Sequence, residues 1–181
     1  MTGVQTCALP IFLAFLTALG GGIARDVIVD KIPYSMQDFS LCLIVLATIS
    51  VSLLLKLHKR AEIEQKLIFV VSDAIGLAAF SVSGALVAPN AGLNAFGVCV
   101  LALLTAVGGG MIRDILVNEV PAILKSEFYA TVAILSGLCV SALDFFGYLN
   151  GYSVSVLFFA AFLLRMSAPI VTGKQIGRAH V

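Results

Sequence analysis

Charge is what this sequence has least of. Asp, Glu, Lys and Arg together make up 12% of the 181 residues, about half the share found in an ordinary soluble domain. The same scarcity leaves no basic field: the net charge is +1 and the few charges gather in short clusters between apolar stretches, which excludes nucleic acid as a partner. Histidine and cysteine are scarcer still. The two histidines are His58 and His180, and none of the four cysteines, Cys7, Cys42, Cys99 and Cys139, stands in a paired-ligand spacing such as CxxC. No metal cluster, cofactor site or nucleophilic triad can be assembled from them, so no enzyme is expected. What the chain does have is apolar surface. Hydrophobic residues make up 60% of it and the mean hydropathy is +1.09, more than a water-soluble core can hide, so the lipid bilayer is the expected solvent.

The two ends are set aside first. If Ile176–Val181 is encoded ATC GGA AGA GCA CAC GTC, the opposite strand read from its second base gives Thr-Cys-Ala-Leu-Pro-Ile, which is Thr6–Ile11. The termini therefore resemble one sequencing adapter read in both directions. Residues 1–11 and 176–181 are expected to be foreign, which removes Cys7 and His180 from functional consideration.

Between them, apolar runs long enough to cross about 30 Å of hydrocarbon as helices cover Phe12–Val29, Leu41–Leu57, Leu67–Ala88, Leu93–Val117, Phe128–Leu143 and Val154–Ile170. The breaks DKIPYSMQD, KLHKRAEIEQK, APNAG, NEVPAILKSE and DFFGYLNGY carry Pro, Gly, Asn or charge and are short, so neighbouring helices run antiparallel. An internal repeat stands out. LTALGGGIARDVIVDKIP (Leu16–Pro33) aligns without a gap on LTAVGGGMIRDILVNEVP (Leu104–Pro121), 88 residues later, with ten of eighteen positions identical. Two further spans lie between the copies, so the second enters the membrane in the opposite direction, an inverted repeat of the kind many transporters use. At the same offset the counterpart of Asp73 falls before residue 1, so the intact protein is expected to carry a further span there. Lys56, Lys59, Arg60, Lys66, Arg113, Lys125 and Lys174 fall on one side, against Arg25 and Lys31 on the other, which puts the loop around Lys59 in the cytoplasm.

Three groups of residues are candidates for function. The triplets Gly20, Gly21, Gly22 and Gly108, Gly109, Gly110 each cost helix propensity, about 1 kcal/mol per glycine in a water-exposed helix. A bend or break there would free carbonyls near Thr17 and Thr105, whose hydroxyls lie at the same level, to meet a cation. The competing reading is close helix packing. Beyond each triplet stands an ionisable pair, Arg25-Asp26 and Arg113-Asp114. Adjacent helical residues point about 100° apart, so each member is expected to need a partner elsewhere, although an arginine at a helix end also snorkels to headgroups. Finally, Asp73, Gly76, Phe80, Ser83 and Gly84 follow helical spacing and are expected to share one lining face, or else Asp73 caps its helix above a packing face.

The tandem GGGxxRD motifs, the second of them about 35 residues after the DAxG opening at Asp73, resemble the prokaryotic trimeric intracellular cation (TRIC) channels, also called glycine-transporter-domain membrane proteins, over essentially all of Phe12–Ile170. The resemblance implies an all-α membrane protein, an inverted-repeat helical bundle of about six transmembrane helices here and seven in the intact fold, assembled as a homotrimer in the inner (plasma) membrane. It divides the chain into a first repeat at 12–66 lacking its first helix, a second at 67–150 and a final helix at 151–175. It implies pore helices kinked at the two triplets, with Arg25 and Arg113 near the pore. The expected activity is conduction of a monovalent, potassium-type cation, and the alternative is transport of a small zwitterionic solute such as glycine.

Overall fold

The structure, a computed structural model, describes residues 5–54, 62–125 and 127–176. Among these are eight helices and no strand: α1 (Gln5–Ile28), α2 (Tyr34–Gln37), α3 (Ser40–Leu54), α4 (Glu62–Asn90), α5 (Ala95–Leu116), α6 (Ala122–Lys125), α7 (Glu127–Phe145) and α8 (Gly151–Ile176). Helices are what lipid permits, because an apolar solvent forces every backbone N–H and C=O to find its partner within the chain. Each of the six expected spans has its helix. By length and composition Ile11–Ile28, Val70–Asn90 and Ala95–Leu116 can each cross a membrane, and Ser40–Val51, Tyr129–Phe145 and Gly151–Ser167 are shorter apolar helical stretches. α1 runs unbroken from Gln5 through the stretch set aside as foreign. The loop around Lys59 lies outside the described residues.

Helix ends are set by local chemistry. Asn94 caps α5 by accepting from the Gly97 N–H at 2.9 Å. Ahead of α8, the side chains of Asn150 and Ser153 each accept from the other's backbone N–H at 3.0 Å, a reciprocal cap. α1 and α5 both end in a Schellman turn. Asp30 and Asn118 hold the left-handed position at φ 55° and 57°, and Lys31 N–H reaches Asp26 O just as Glu119 N–H reaches Asp114 O, both at 2.8 Å.

These turns extend the 88-residue repeat from sequence into geometry. Asp30 corresponds to Asn118, and the short helices α2 and α6, which fall inside breaks expected to be loops, correspond residue for residue. Proline opens both: Pro33 and Pro121 fix the entering backbone and accept the first turn's bond from Met36 and Leu124. The α1–α2–α3 order thus recurs as α5–α6–α7.

α4, α5 and α7 form the centre, with α8 laid on α4 and α7 and with α1 against α5. The core is small-residue rich: Ala85, Ala88, Val98, Leu101, Ala102 and Val140 make one cluster, and Leu77, Ala78, Val132 and Ala161 another. Small side chains suit association in lipid, where close backbone approach replaces a hydrophobic drive. Large apolar residues point outward instead, Phe159 and Leu163 of α8 and Leu43 and Ile44 of α3 among them.

Candidate functional site

α1 and α5 cross at the two glycine triplets. A Cβ added to Gly21 would collide with the Thr105 carbonyl oxygen, and one added to Gly109 would collide with that of Thr17. The contact is reciprocal, since Thr17 and Gly21 are the counterparts of Thr105 and Gly109. The outer pair repeats it, with the added Cβ of Gly20 3.3 Å from Gly109 Cα and that of Gly108 3.3 Å from Gly21 Cα. Gly22 and Gly110 face open space. Both helices continue through their triplets, so the break that glycine propensity suggested does not occur. The bilayer removes the water that makes an exposed glycine backbone costly, and the close crossing occupies the space that only glycine leaves.

Beside this crossing lies a cavity of about 310 Å³. α4 contributes Asp73, Gly76 and Phe80, α5 contributes Thr105, Gly109, Gly110, Arg113 and Asp114, and α1 contributes Thr17; Tyr129 of α7 and Arg165 of α8 close it. Much of the expected set therefore converges. Thr17 and Thr105 donate their hydroxyls to Leu13 O and Leu101 O at 2.7 and 2.6 Å, one turn back on their own helices, so their oxygens keep lone pairs available.

Three expectations are corrected. Arg113 and Asp114 do neutralise each other: Nη2 and Nε of the arginine both reach Asp114 Oδ1, at 2.7 and 2.9 Å. In the first copy Arg25 Nε donates to Asp26 Oδ1 at 2.8 Å. The angle between neighbouring Cβ directions misleads here because the long guanidinium stem folds back along the helix to its neighbour. Asp26 also accepts from the Tyr34 N–H at 3.0 Å, so a buried carboxylate anchors the start of α2. The first copy opens on a separate pocket, lined by Arg25, Asp26, Lys31, Ile32, Tyr34 and Gln37, so Arg25 and Asp26 do not share the cavity with Asp73. Ser83 is likewise absent from that lining and lies 3.5 Å from Arg25 Nη1. Ten residues along a helix leave a side chain about 80° from its starting direction, whereas seven leave it about 20° away. Phe80 therefore stays with Asp73 and Ser83 turns off. Gly84 does face α5, where a Cβ would meet Thr105 Oγ1 at 2.5 Å.

Two ionisable residues of the cavity, Tyr129 and Arg165, are not among those the sequence singles out. Asp73 accepts from the Tyr129 hydroxyl through Oδ1 and from Arg165 Nη2 at 3.0 Å through Oδ2, and the Arg165 guanidinium sits 4.7 Å from the Tyr129 ring centre. Arg165 was legible, as the single charge within the apolar stretch Ser153–Ser167, where an ionisable residue signals function by default. Tyr129 was not, because an aromatic near a span end is ordinary. Among the described residues no group of three His, Cys, Asp or Glu side chains could hold a metal ion.

Comparison with known proteins agrees with this architecture. The family described as Glycine transporter matches residues 4–56 and 70–144. The membrane protein YvgT of Bacillus subtilis is 35% identical over 167 residues, which is 92% of this chain and 81% of that one. A prokaryotic TRIC channel crystallised in 0.5 M KCl superposes with a TM-score of 0.81 at 34% identity, over 90% of this chain and 81% of its own. The TRIC trimeric intracellular cation channel orthologue of Rhodobacter sphaeroides gives a TM-score of 0.81 at 28% identity, over 93% and 87%. With the repeat, the glycine crossing and these matches together, the chain belongs to the glycine-transporter family of membrane proteins, the family of the prokaryotic TRIC cation channels.

Proposed function

We propose that the chain conducts monovalent, potassium-type cations through the cavity between α1, α4, α5, α7 and α8. One observation carries this reading: a charged, hydroxyl-bearing cavity sits against the crossing of two apolar helices, in a bundle whose outer surface is apolar. Buried ionisable groups are costly in lipid and usually mark an ion path. Asp73 and Asp114 supply negative charge, Thr17 and Thr105 supply oxygen ligands, and Arg113 tunes selectivity. Arg25 and Asp26 serve the pocket at the first copy, with Ser83 bearing on it through Arg25 Nη1. The triplets hold α1 and α5 close enough for the Thr17 and Thr105 carbonyls to face the opposite helix, and Gly22 and Gly110, with free space around them, are the points where those helices can bend. The repeats fall at 12–66 and 67–150, α8 stands outside both, and the working unit is a homotrimer in the plasma membrane with the Lys59 loop in the cytoplasm.

A second reading, carriage of a small zwitterion such as glycine, is favoured by the presence of both charge signs in one cavity. Reconstitution in liposomes separates the two. Ion current without uptake of radiolabelled glycine is the expected outcome, and glycine uptake without current would reverse the choice. Absence of both would return the glycines to packing alone.

A further inference from the structure

We propose that Arg165 is a tethered cation occupying the permeant ion's place at Asp73, so that a conducted cation passes only by displacing it. This rests on the conduction reading. Arg165 comes from α8, which lies outside both repeats; 88 residues before it stands Leu77, so the charge is an addition to the symmetric frame. An arginine inside an apolar helix is expensive and needs a return. The return it takes is incomplete. Among the described residues only Nη2 is bonded to Asp73, at 3.0 Å, and Nε is buried with no hydrogen-bond partner. The strongest arginine–carboxylate bridges use two parallel donors, whereas this one holds by a single end.

The guanidinium also has a second resting place. It lies 4.7 Å from the centre of the Tyr129 ring, whose face stabilises a cation without forming a hydrogen bond. A small rotation of the stem could therefore release Asp73 and keep the charge over the ring. Tyr129 would go on holding Asp73 through its hydroxyl, which keeps the carboxylate in position for the next cation. Both carboxylates of the cavity are engaged by arginine, Asp114 by Arg113 and Asp73 by Arg165. An entering cation must open one of these pairs, and the Asp73 pair is the one held at one point.

The test uses the full chain in proteoliposomes, with Arg165→Gln and the similarly long, apolar Arg165→Met. Both variants are expected to raise potassium flux several-fold at equal incorporation, and low-millimolar guanidinium is expected to return it toward the unaltered level. Thermal stability gives a readout independent of flux. Potassium chloride should raise the melting temperature of either variant above its value in N-methylglucamine chloride, and should leave the unaltered protein unchanged. Flux no higher in the variants, with no potassium-dependent stabilisation, overturns the inference and leaves conduction standing. Potassium-dependent stabilisation without flux in any protein keeps the Asp73 site and removes conduction. If neither variant folds even in high potassium, Arg165 is structural and the inference fails.

Discussion

Gly109 and Gly110 are neighbours with opposite tolerances. A methyl on Gly109 would drive into the Thr17 carbonyl, a backbone atom of a packed helix that cannot swing aside, whereas one on Gly110 meets nothing within 4 Å. Gly109→Ala is expected to destabilise by about 1–3 kcal/mol, the usual range for overpacking. Gly110→Ala is expected to be neutral or to gain up to about 1 kcal/mol of helix propensity while narrowing the cavity. Melting temperatures followed by size exclusion in detergent check both, and equal losses at the two positions would contradict the crossing geometry. The triplets are visible in the sequence but their division is not, because which glycine faces the partner depends on the crossing angle and not on composition. For the arginine–aspartate pairs the cause of the misreading was different. Helix geometry fixes Cβ directions, and a side chain as long as arginine is not bound by them.

The ends of α1 and α5 show what one element can reveal. Asn118 holds a left-handed φ of 57°, which Asn tolerates and a β-branched residue does not. Asn118→Val is expected to cost about 1–2 kcal/mol, read as lowered thermal stability, with Asn118→Gly at least as stable as the unaltered chain. The joint between α2 and α3 depends on pH instead. Asp38 accepts from the Ser40 N–H and the Tyr34 hydroxyl, both at 2.9 Å. These bonds, the backbone one foremost, hold its carboxyl below the ordinary value of 3.8. A lowered carboxyl pKa contributes stability above that ordinary value and loses it as pH falls through the folded one. Amide protection in the first turn of α3, measured as exchange relative to the intrinsic rate at each pH, should therefore fall below about pH 4, and Asp38→Asn should remove that dependence. The spans themselves were legible to within a few residues, since apolar length decides them in lipid. The short helices α2 and α6 were not, because four residues carry no periodicity and only Pro33 and Pro121 hinted at them.

For the whole molecule, the inverted repeat makes a topological demand. α3 and α4 intervene between the copies, so α1 and α5 point in opposite directions across the bilayer. In a background without the native cysteines, Lys31→Cys and Glu119→Cys should react with an impermeant maleimide from opposite faces; labelling from one face would break the repeat's inversion. The inversion was readable from span count alone, but the reciprocal crossing at its axis needed three dimensions. That crossing bears on descent. If the two halves arose from one gene that paired with its own copy, each triplet once faced itself, and any change there struck both sides of the contact together. Fusion into a single chain let the halves mutate separately, yet Gly21 and Gly109 still each lie against the other half's threonine carbonyl. Neither half can therefore acquire a side chain there unless the other moves. The flanks Ile23 and Met111 differ between the copies while the glycines are shared, which is the pattern that such a descent would leave where backbone touches backbone.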